Sequence, residues 1–372
     1  MKNPDFPEGE RGSFAADARL SPTLPSRYYH DPEIYGRELR AVFQRSWCYV
    51  GHVSELPNPG DFRVESGADQ CIFLVRAEDG EIRAFYNVCQ HRGHELLQGS
   101  GSRKKRIVCP YHAWTYDLDG TLIQAPHTDR LQNFDAAEFS LKPVHLATCA
   151  GLLFANLDPA AAEFEQAYPG LAQTFSDSLP AIENFGAAIQ LDYDIAANWK
   201  IVVDNFSEGY HIPVAHRQLT RVLEVGSGNR SRVEEHYAFF ESRSRAGYEG
   251  LELEAGLPYR SWTLWPNTCL LSLPGCENLI VIRMAPDGPE GCREHVDLLT
   301  IDGEVSPTVE ALRRLFAECF NQEDIAIVES VQRGLKSLGY DQGRYVVDDR
   351  DDWYSESGLH KFHRLILAAL AS

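Results

Sequence analysis

The feature that most constrains this chain is a set of two short cysteine–histidine pairs. Cys89 and His91 form the first pair, and Cys109 and His112 form the second. Two thiolates on one iron and two imidazoles on the other suit a 2Fe–2S cluster, whose reduction potential rises because the imidazoles are neutral. A structural zinc site also takes two cysteines and two histidines, but it usually pairs cysteine with cysteine and histidine with histidine. The mixed pairs therefore favour a one-electron relay over zinc.

The sequence around these pairs predicts short strands and tight turns. One strand-like segment stands on each side of Asp79-Gly80, and two more flank Asp119-Gly120; both dipeptides are typical of hairpin turns. The first cysteine–histidine pair follows one hairpin and the second pair precedes the other, so two neighbouring loops could hold a cluster between them. We therefore predict a small all-β domain over residues 46–157.

The segments on either side of this domain have a different pattern. Residues 1–45 are predicted to form an arm and one helix, with Asp31 as the N-cap and Pro32 at the first helical position. After residue 157, helical stretches and strand-like segments are mixed, which predicts an α+β domain over residues 158–372. We expect the N-terminal arm and helix to pack on this larger domain.

A predicted helix from about Asn198 to His211 carries candidate functional side chains. Asp204, Glu208 and His211 are spaced so that all three lie on one face of a regular helix. We predict His211 as a metal ligand and the two carboxylates as catalytic candidates. The alternative is a partly exposed helix with ordinary surface side chains.

A second histidine follows five residues later and needs a bend to face the first. Pro213 cannot continue a helix comfortably and biases Ile212 out of the helical region, so the chain can turn His216 back towards His211. Two converging imidazoles and one carboxylate would form the facial triad that leaves open positions on ferrous iron for O₂ and substrate. The pair therefore predicts a mononuclear iron site that lacks one carboxylate ligand.

The missing carboxylate is predicted on a long helix that Ser306 caps and that ends near Gly334. Glu323 and Asp324 interrupt its apolar stripe, and a charged group in a buried stripe is costly unless it is paired or bound to metal. The helical periodicity alone does not choose between them, and one of them could pair with a nearby arginine. We predict Asp324 as the ligand.

Several motifs resemble the oxygenase (α) component of Rieske non-haem iron oxygenases over nearly the whole chain. These are Cys-x-His-Arg-Gly-His at 89–94, Cys-Pro-Tyr-His-x-Trp at 109–114, Asn-Trp-Lys at 198–200 before the His-x₄-His pair, and Gln-Glu-Asp-Ile at 322–325. The resemblance implies an all-β Rieske domain and a catalytic domain of antiparallel sheet with helices, of the helix-grip type. It also implies a monooxygenase or dioxygenase activity with O₂ as co-substrate, and it supports Asp324.

The same resemblance implies how electrons arrive. Members of this family form head-to-tail trimers, sometimes with β subunits, in which the cluster of one subunit faces the iron of the next, and we expect a homotrimer here. The implied route runs from His112 to Glu208 of the next chain and then to His211. The sequence has no Gly-x-Gly-x-x-Gly nucleotide motif, so NAD(P)H would act through a separate flavin or iron–sulfur reductase, or a ferredoxin.

The substrate prediction follows a narrower resemblance. A glutamate at the bridge position and the Gln-Glu-Asp-Ile segment resemble the branch that acts on glycine betaine, carnitine, choline and stachydrine. Tyr210, Trp262 and Trp265 could offer aromatic faces to a quaternary ammonium group, although each of them could equally be a core residue. On this basis we expect N-demethylation or C–N cleavage.

Two alternatives remain open from the residues. The first is hydroxylation or O-demethylation of an aromatic acid, for which Arg217, Arg221 and Arg260 are the candidate carboxylate-binding residues. The second is a Rieske electron carrier with an attached structural domain, which would hold no iron beyond the cluster.

Composition excludes some partners and indicates a compartment. The formal net charge of −19 argues against nucleic acid, because phosphate binding needs clustered lysine and arginine. The apolar runs are too short to span a bilayer. Nine cysteines is an odd number, and those outside the motif are scattered singly, which favours reduced thiols in the cytoplasm.

Overall fold

The computed structural model divides the chain into two compact units. One unit is Arg45–Ala161, and the other comprises the described residues before Arg45 and from Ala162 onwards. The first twelve residues of the predicted arm lie outside the described part. None of the described helices is both long and apolar enough to cross a membrane. The structure describes residues 13–103, 105–223, 230–244, 257–347 and 354–371.

The smaller unit is built from short antiparallel strands, as predicted. Its described strands form a sheet in the order β1-β10-β9-β4-β3-β2-β5 and a second sheet in the order β6-β7-β8. The two predicted hairpins are β3–β4 and β7–β8. At the second turn Gly120 has a φ of 88°, and a side chain there would collide with the ring of Phe85. The strands are β1 Cys48–His52, β2 Asp61–Gly67, β3 Gln70–Arg76, β4 Ile82–Tyr86, β5 Ser100–Ser102, β6 Arg106–Val108, β7 Thr115–Asp117, β8 Leu122–Gln124, β9 Pro143–Cys149 and β10 Leu152–Asn156.

The larger unit combines one antiparallel sheet with helices, which confirms the α+β prediction. Among the described residues the sheet order is β11-β17-β16-β15-β14-β13-β12. Its strands are β11 Phe185–Ile195, β12 Arg230–Val233, β13 Tyr237–Ser242, β14 Tyr259–Leu264, β15 Thr268–Ser272, β16 Asn278–Pro286 and β17 Cys292–Ile301. Its helices are α1 Pro32–Ala41, α2 Phe164–Ala167, α3 Leu171–Ser178, α4 Trp199–Phe206, α5 Ile212–Ala215, α6 Leu219–Val222, α7 Pro307–Arg314, α8 Asn321–Gly334 and α9 Ser357–Ala371.

Two of the predicted helix starts are confirmed by their caps. The Asp31 carboxylate accepts hydrogen bonds from the first backbone N–H groups of α1, and the Ser306 hydroxyl accepts one from Val309 N–H at the start of α7. The predicted long helix continues through α8, but a π-helical segment, Leu315–Phe320, separates α7 from α8. A π turn contains more residues than an α turn, because its hydrogen bonds join residues five apart. The apolar stripe therefore shifts around the helix just before Glu323 and Asp324.

The prediction of one helix from Asn198 to His211 is wrong. α4 ends at Phe206 and α5 begins only at Ile212. Between them the Glu208 carboxylate accepts hydrogen bonds from the backbone N–H groups of Tyr210 and His211, which holds a turn in place of a helix. Pro213 lies in the first turn of α5, where its missing N–H is not needed. The bend therefore precedes His211 rather than following it.

Candidate active site

Three side chains from two distant parts of the chain converge in the larger unit. One potential ligand atom from each of His211, His216 and Asp324 lies within 4.8 Å of the other two. His216 Nε2 is 3.0 Å from Asp324 Oδ1, and His211 Nε2 is 3.7 Å from the same oxygen. In the described part of the chain, this is the one group of three or more such side chains with this spacing. Two imidazole nitrogens and one carboxylate oxygen are the donor set of a ferrous facial triad.

The residues around His216 favour a positive charge on its imidazole. Burial on its own lowers the pKa of this imidazole, but hydrogen bonds to Asp324 and Glu323 outweigh burial and raise the pKa above its ordinary value. A carboxylate arrangement that stabilises a proton on an imidazole also stabilises a metal cation in its place. The residues therefore fit a divalent cation.

Each histidine has a carboxylate on its other ring nitrogen. His211 Nδ1 is 2.6 Å from Glu208 Oε1, and His216 Nδ1 is 2.7 Å from Glu323 Oε2. When Nδ1–H donates to a carboxylate, the tautomer and the ring orientation are fixed and Nε2 is left for a metal. Both Nε2 atoms thus face the same point.

Asp204 is not brought to this group. The prediction that Asp204, Glu208 and His211 share a helix face is wrong, because α4 ends before Glu208. Asp204 Oδ2 accepts a hydrogen bond from Tyr29 at 2.8 Å, and Asp204 Oδ1 lies 3.0 Å from His363 Nε2. This carboxylate connects α4 with α9 and with the segment before α1. The neighbouring residue of α4 reaches the site instead, since Asn205 Nδ2 donates to Asp324 Oδ1 at 2.7 Å.

The Asn-Trp-Lys motif anchors the start of α4. Asn198 Oδ1 caps the helix by accepting from Lys200 N–H, and it also accepts from Lys200 Nζ at 2.8 Å. Lys200 Nζ donates to Glu38 at 2.8 Å, and the indole of Trp199 donates to the same carboxylate. The sequence analysis missed Glu38, although it lies four residues after Ile34 on the buried face of α1.

The four predicted cluster ligands lie in two loops with the same hydrogen-bond pattern. Cys89 N–H donates to the carbonyl of His94, and Cys109 N–H donates to the carbonyl of Trp114, each at 2.8 Å. In each loop the residue four positions after the cysteine donates back to the cysteine carbonyl at 3.0 Å. That residue has positive φ in both loops: Gly93 at 73° and Ala113 at 58°. The two loops therefore hold their cysteine–histidine pairs in the same backbone geometry.

The side chains of these loops approach one another. The rings of His91 and His112 have centroids 4.7 Å apart. Burial raises the pKa of the Cys89 thiol, and the neighbouring Cys109 thiol also raises it. The buried Nδ1 of His112 has no hydrogen-bond partner among the described residues. Burying a nitrogen without a hydrogen-bond partner costs folding free energy. Binding to a metal would give this nitrogen its partner. These residues therefore fit a 2Fe–2S cluster.

Tyr116 adds a contact that the sequence analysis missed. Its hydroxyl lies 3.4 Å from Cys89 Sγ and accepts a hydrogen bond from Gln90 N–H at 3.0 Å. Because the hydroxyl accepts from Gln90, its own hydrogen is available for the cysteine sulfur. Burial raises the pKa of this phenol, which keeps it protonated as a donor.

A cavity of about 100 Å³ adjoins the turn that carries Glu208 and His211. One wall comes from that turn and from α5, and the facing wall comes from β12, β13 and β14. Burial raises the pKa of the Tyr259 phenol in this lining, and the charge of Asp324 raises it further. No lysine, arginine or histidine is among the described lining residues. These are Phe206, Ser207, Glu208, Gly209, Ile212, Ser231, Val233, Ala238, Phe239, Phe240, Tyr259, Ser261, Thr263, Ser355, Ser357 and Gly358.

The predicted aromatic residues do not line this cavity. Trp262 is fully buried and packs between Phe175 and Phe239, so it is a core residue. Tyr210 is half-exposed on the surface, and Trp265 lines a smaller neighbouring cavity. Of the cavity aromatics, Phe206 comes from the end of α4, whereas Phe239, Phe240 and Tyr259 come from strands that meet only in the folded sheet. Local sequence pattern carries no signal for that meeting.

Comparison with known proteins agrees with both units. Residues 46–135 match the family model "Rieske [2Fe-2S] domain", and residues 182–372 match "Ring hydroxylating alpha subunit (catalytic domain)". The chain is 36% identical over 373 residues to the carnitine monooxygenase oxygenase subunit of Escherichia coli K12, covering 98% of this chain and 97% of the relative. It is 31% identical to a chloroplastic choline monooxygenase of Arabidopsis thaliana, covering 92% and 82% of the two chains.

A solved structure is similar over nearly the whole length. It is a quaternary ammonium Rieske monooxygenase, described for carnitine oxidation by gut microbiota and for inter-subunit electron transfer. It superposes with a TM-score of 0.90 at 34% identity, covering 96% of this chain and 97% of the other. The expected fold, with an all-β Rieske domain and a catalytic domain of antiparallel sheet and helices, is confirmed. The chain therefore belongs to the Rieske non-haem iron oxygenases, as an oxygenase (α) subunit.

Proposed function

We propose that this subunit hydroxylates a quaternary ammonium compound, with N-demethylation or C–N cleavage as the result. One atom of O₂ enters a C–H bond next to nitrogen, and the other leaves as water, with two electrons from a reductase and two protons. The hydroxylated carbon then leaves nitrogen as an aldehyde, and the released proton balances the loss of positive charge on the amine. The relatives named for carnitine and choline support this substrate class.

The composition of the cavity is the observation that carries the proposal. Its described lining includes the aromatic residues Phe206, Phe240 and Tyr259 and one acidic residue, Glu208. Aromatic faces attract a quaternary ammonium group by roughly 1–2 kcal/mol when the cation is desolvated. A cation that cannot donate hydrogen bonds suits such a surface.

The aromatic-acid alternative has less support. A substrate carboxylate is usually held by arginine or another donor of positive charge. Arg260 belongs to β14, which contributes to the cavity wall, but its guanidinium pairs with Glu241 at 2.9 Å. Arg217 and Arg221 are exposed, and neither is among the residues that line the cavity.

The proposed roles of the site residues follow from their positions. His211, His216 and Asp324 would hold ferrous iron, and Cys89, His91, Cys109 and His112 would hold the cluster. When bound, the iron supplies positions for O₂ and the cluster supplies single electrons. Glu208 orients His211 through Nδ1, and the cavity residues exclude water and place the N-methyl group beside the site. The sequence predicts Asp204 as a catalytic candidate, but its contacts favour a structural role in which it holds α4 in place.

We also propose a head-to-tail homotrimer in which Glu208 meets His112 of a neighbouring chain. Large apolar side chains are exposed next to both residues, as a subunit contact requires. Val108 and Tyr111 are about half-exposed beside His112, and Val214 is 82% exposed near Glu208. The electron donor would be a separate flavin or iron–sulfur reductase, or a ferredoxin. The described part of the chain contains no disulfide bond, which supports a cytoplasmic location.

The experiment compares a cation with a neutral compound of the same shape. Binding to the anaerobically reduced protein is followed by the spectrum of the ferrous site. Choline, carnitine and glycine betaine are compared with 3,3-dimethylbutan-1-ol, which replaces nitrogen with carbon, and with benzoate. We expect at least one cation to bind more than tenfold more tightly than the neutral compound. Benzoate binding more tightly than every cation would contradict the substrate class.

A matched pair of variants tests the cavity itself. Tyr259→Leu removes one aromatic face from the cavity, whereas Tyr210→Leu removes an aromatic ring that does not line it. We expect Tyr259→Leu to weaken binding of the preferred cation by about tenfold and Tyr210→Leu to leave it unchanged. Equal effects of the two substitutions would argue that the substrate lies elsewhere.

A further inference from the structure

His216 lies between two carboxylates that are consecutive in the sequence. Its Nε2 is 3.0 Å from Asp324 Oδ1, and its Nδ1 is 2.7 Å from Glu323 Oε2. The imidazole is almost fully buried, with 3% of its side chain exposed, whereas Glu323 is 40% exposed. A surface glutamate thus reaches inwards to the far side of a candidate ligand.

The first turn of α8 produces this arrangement. Successive residues of an α-helix point in directions about 100° apart, so Asp324 and Glu323 can take the two nitrogens of one ring. Phe320, the last residue of the π-helical segment, meets the same imidazole edge to face, with centroids 5.9 Å apart. Three residues of one helical turn therefore fix the position of the ring.

We propose that Glu323 is a positioning residue for the mononuclear metal site. Its carboxylate accepts the Nδ1–H of His216. This hydrogen bond keeps the Nε2 lone pair directed at the metal and fixes the orientation of the ring. This inference rests on the proposed iron site and adds Glu323 to it. Glu208 has the matching contact with His211, but Glu208 is also the proposed bridge to the next subunit. Glu323 acts on metal retention alone.

The test measures iron release rather than activity. Reduced holoprotein is mixed anaerobically with a chromophoric ferrous chelator, and the absorbance of the cluster serves as an internal standard. Glu323→Ala removes the acceptor. Loss of such a partner usually lowers metal affinity about 10–100-fold, and we expect this to appear as a release of the mononuclear iron that is about 10–100-fold faster. Glu323→Gln retains an acceptor oxygen, so its rate should stay within about threefold of the parent protein.

Glu318→Ala is the matched control. Glu318 lies one turn earlier on the same continuous helix, is 63% exposed and pairs with Arg313, so its removal should leave iron release unchanged. Equal release rates for Glu323→Ala and Glu318→Ala would overturn the proposal, as would a Glu323→Gln protein that loses iron as fast as Glu323→Ala. A parent protein with iron in the cluster only would instead overturn the proposed function.

Discussion

Substitution of Lys200 by methionine tests how the start of α4 is anchored. Lys200 and Glu38 are both fully buried, and their side chains meet at 2.8 Å. Burial raises the pKa of Glu38 and lowers that of Lys200, so each charge depends on the other. Methionine fills a similar volume but leaves the carboxylate buried without its cation. Breaking such a pair costs about 3–5 kcal/mol of the free energy of unfolding.

The assay is urea unfolding followed by tryptophan fluorescence, to which all six tryptophans contribute, Trp199 beside the pair among them. Lys336→Met is the control, because Lys336 and Glu290 form an ion pair with exposed fractions of 49% and 41%. An exposed pair of this kind contributes about 0–1 kcal/mol. The loss in Lys200→Met should shrink as the pH falls, since protonation of Glu38 removes the unpaired charge. A loss no larger than that of Lys336→Met would refute the reasoning.

Two further predictions concern the two centres, and a third concerns the buried carboxyl group of Glu294 in β17. Glu208→Gln should keep both metals but lose multiple turnover, measured as product per chain in the presence of reductase; sustained turnover at the parent rate would reject the bridge. Tyr116→Phe removes a hydrogen bond to the Cys89 sulfur, so the cluster potential should fall in a redox titration, and an unchanged potential would count against that bond. Burial raises the pKa of Glu294 to about 7 from an ordinary 4.5. As the pH rises, the unfolded chain therefore releases this proton at a lower pH than the folded protein does. In iron-depleted protein, stability should therefore fall by up to about 3 kcal/mol as the pH rises through this window. Glu294→Gln should abolish that decrease, and an unaltered slope in urea titrations would contradict the assignment.

Local sequence signals are sufficient to predict much of the fold. The hairpin turns at Asp79-Gly80 and Asp119-Gly120, and the caps at Asp31 and Ser306, depend on a few neighbouring residues. Their chemistry is therefore visible in the sequence itself. The His-x₄-His pair is also visible in the sequence because both histidines are close in the chain, but the bend predicted after His211 lies before it in the structure.

The features that the sequence did not reveal depend on contacts between distant residues or on competition between local hydrogen bonds. α4 ends at Phe206 because Glu208 binds the backbone N–H groups of the following turn, where residue spacing alone favoured a longer helix. The π-helical segment changes the register before Asp324, so a regular helical wheel could not separate it from Glu323. Glu38 and Tyr259 reach their partners across the fold.

Counting iron and acid-labile sulfide per chain tests the central claim most directly. The claim is that one chain holds a 2Fe–2S cluster and, separately, a mononuclear iron bound by His211, His216 and Asp324. We predict about three irons and two sulfides in the parent protein. In His216→Ala we predict about two of each, with the paramagnetic signal of the reduced cluster unchanged. A parent protein with two irons and two sulfides, or one that holds zinc and no sulfide, would contradict the account.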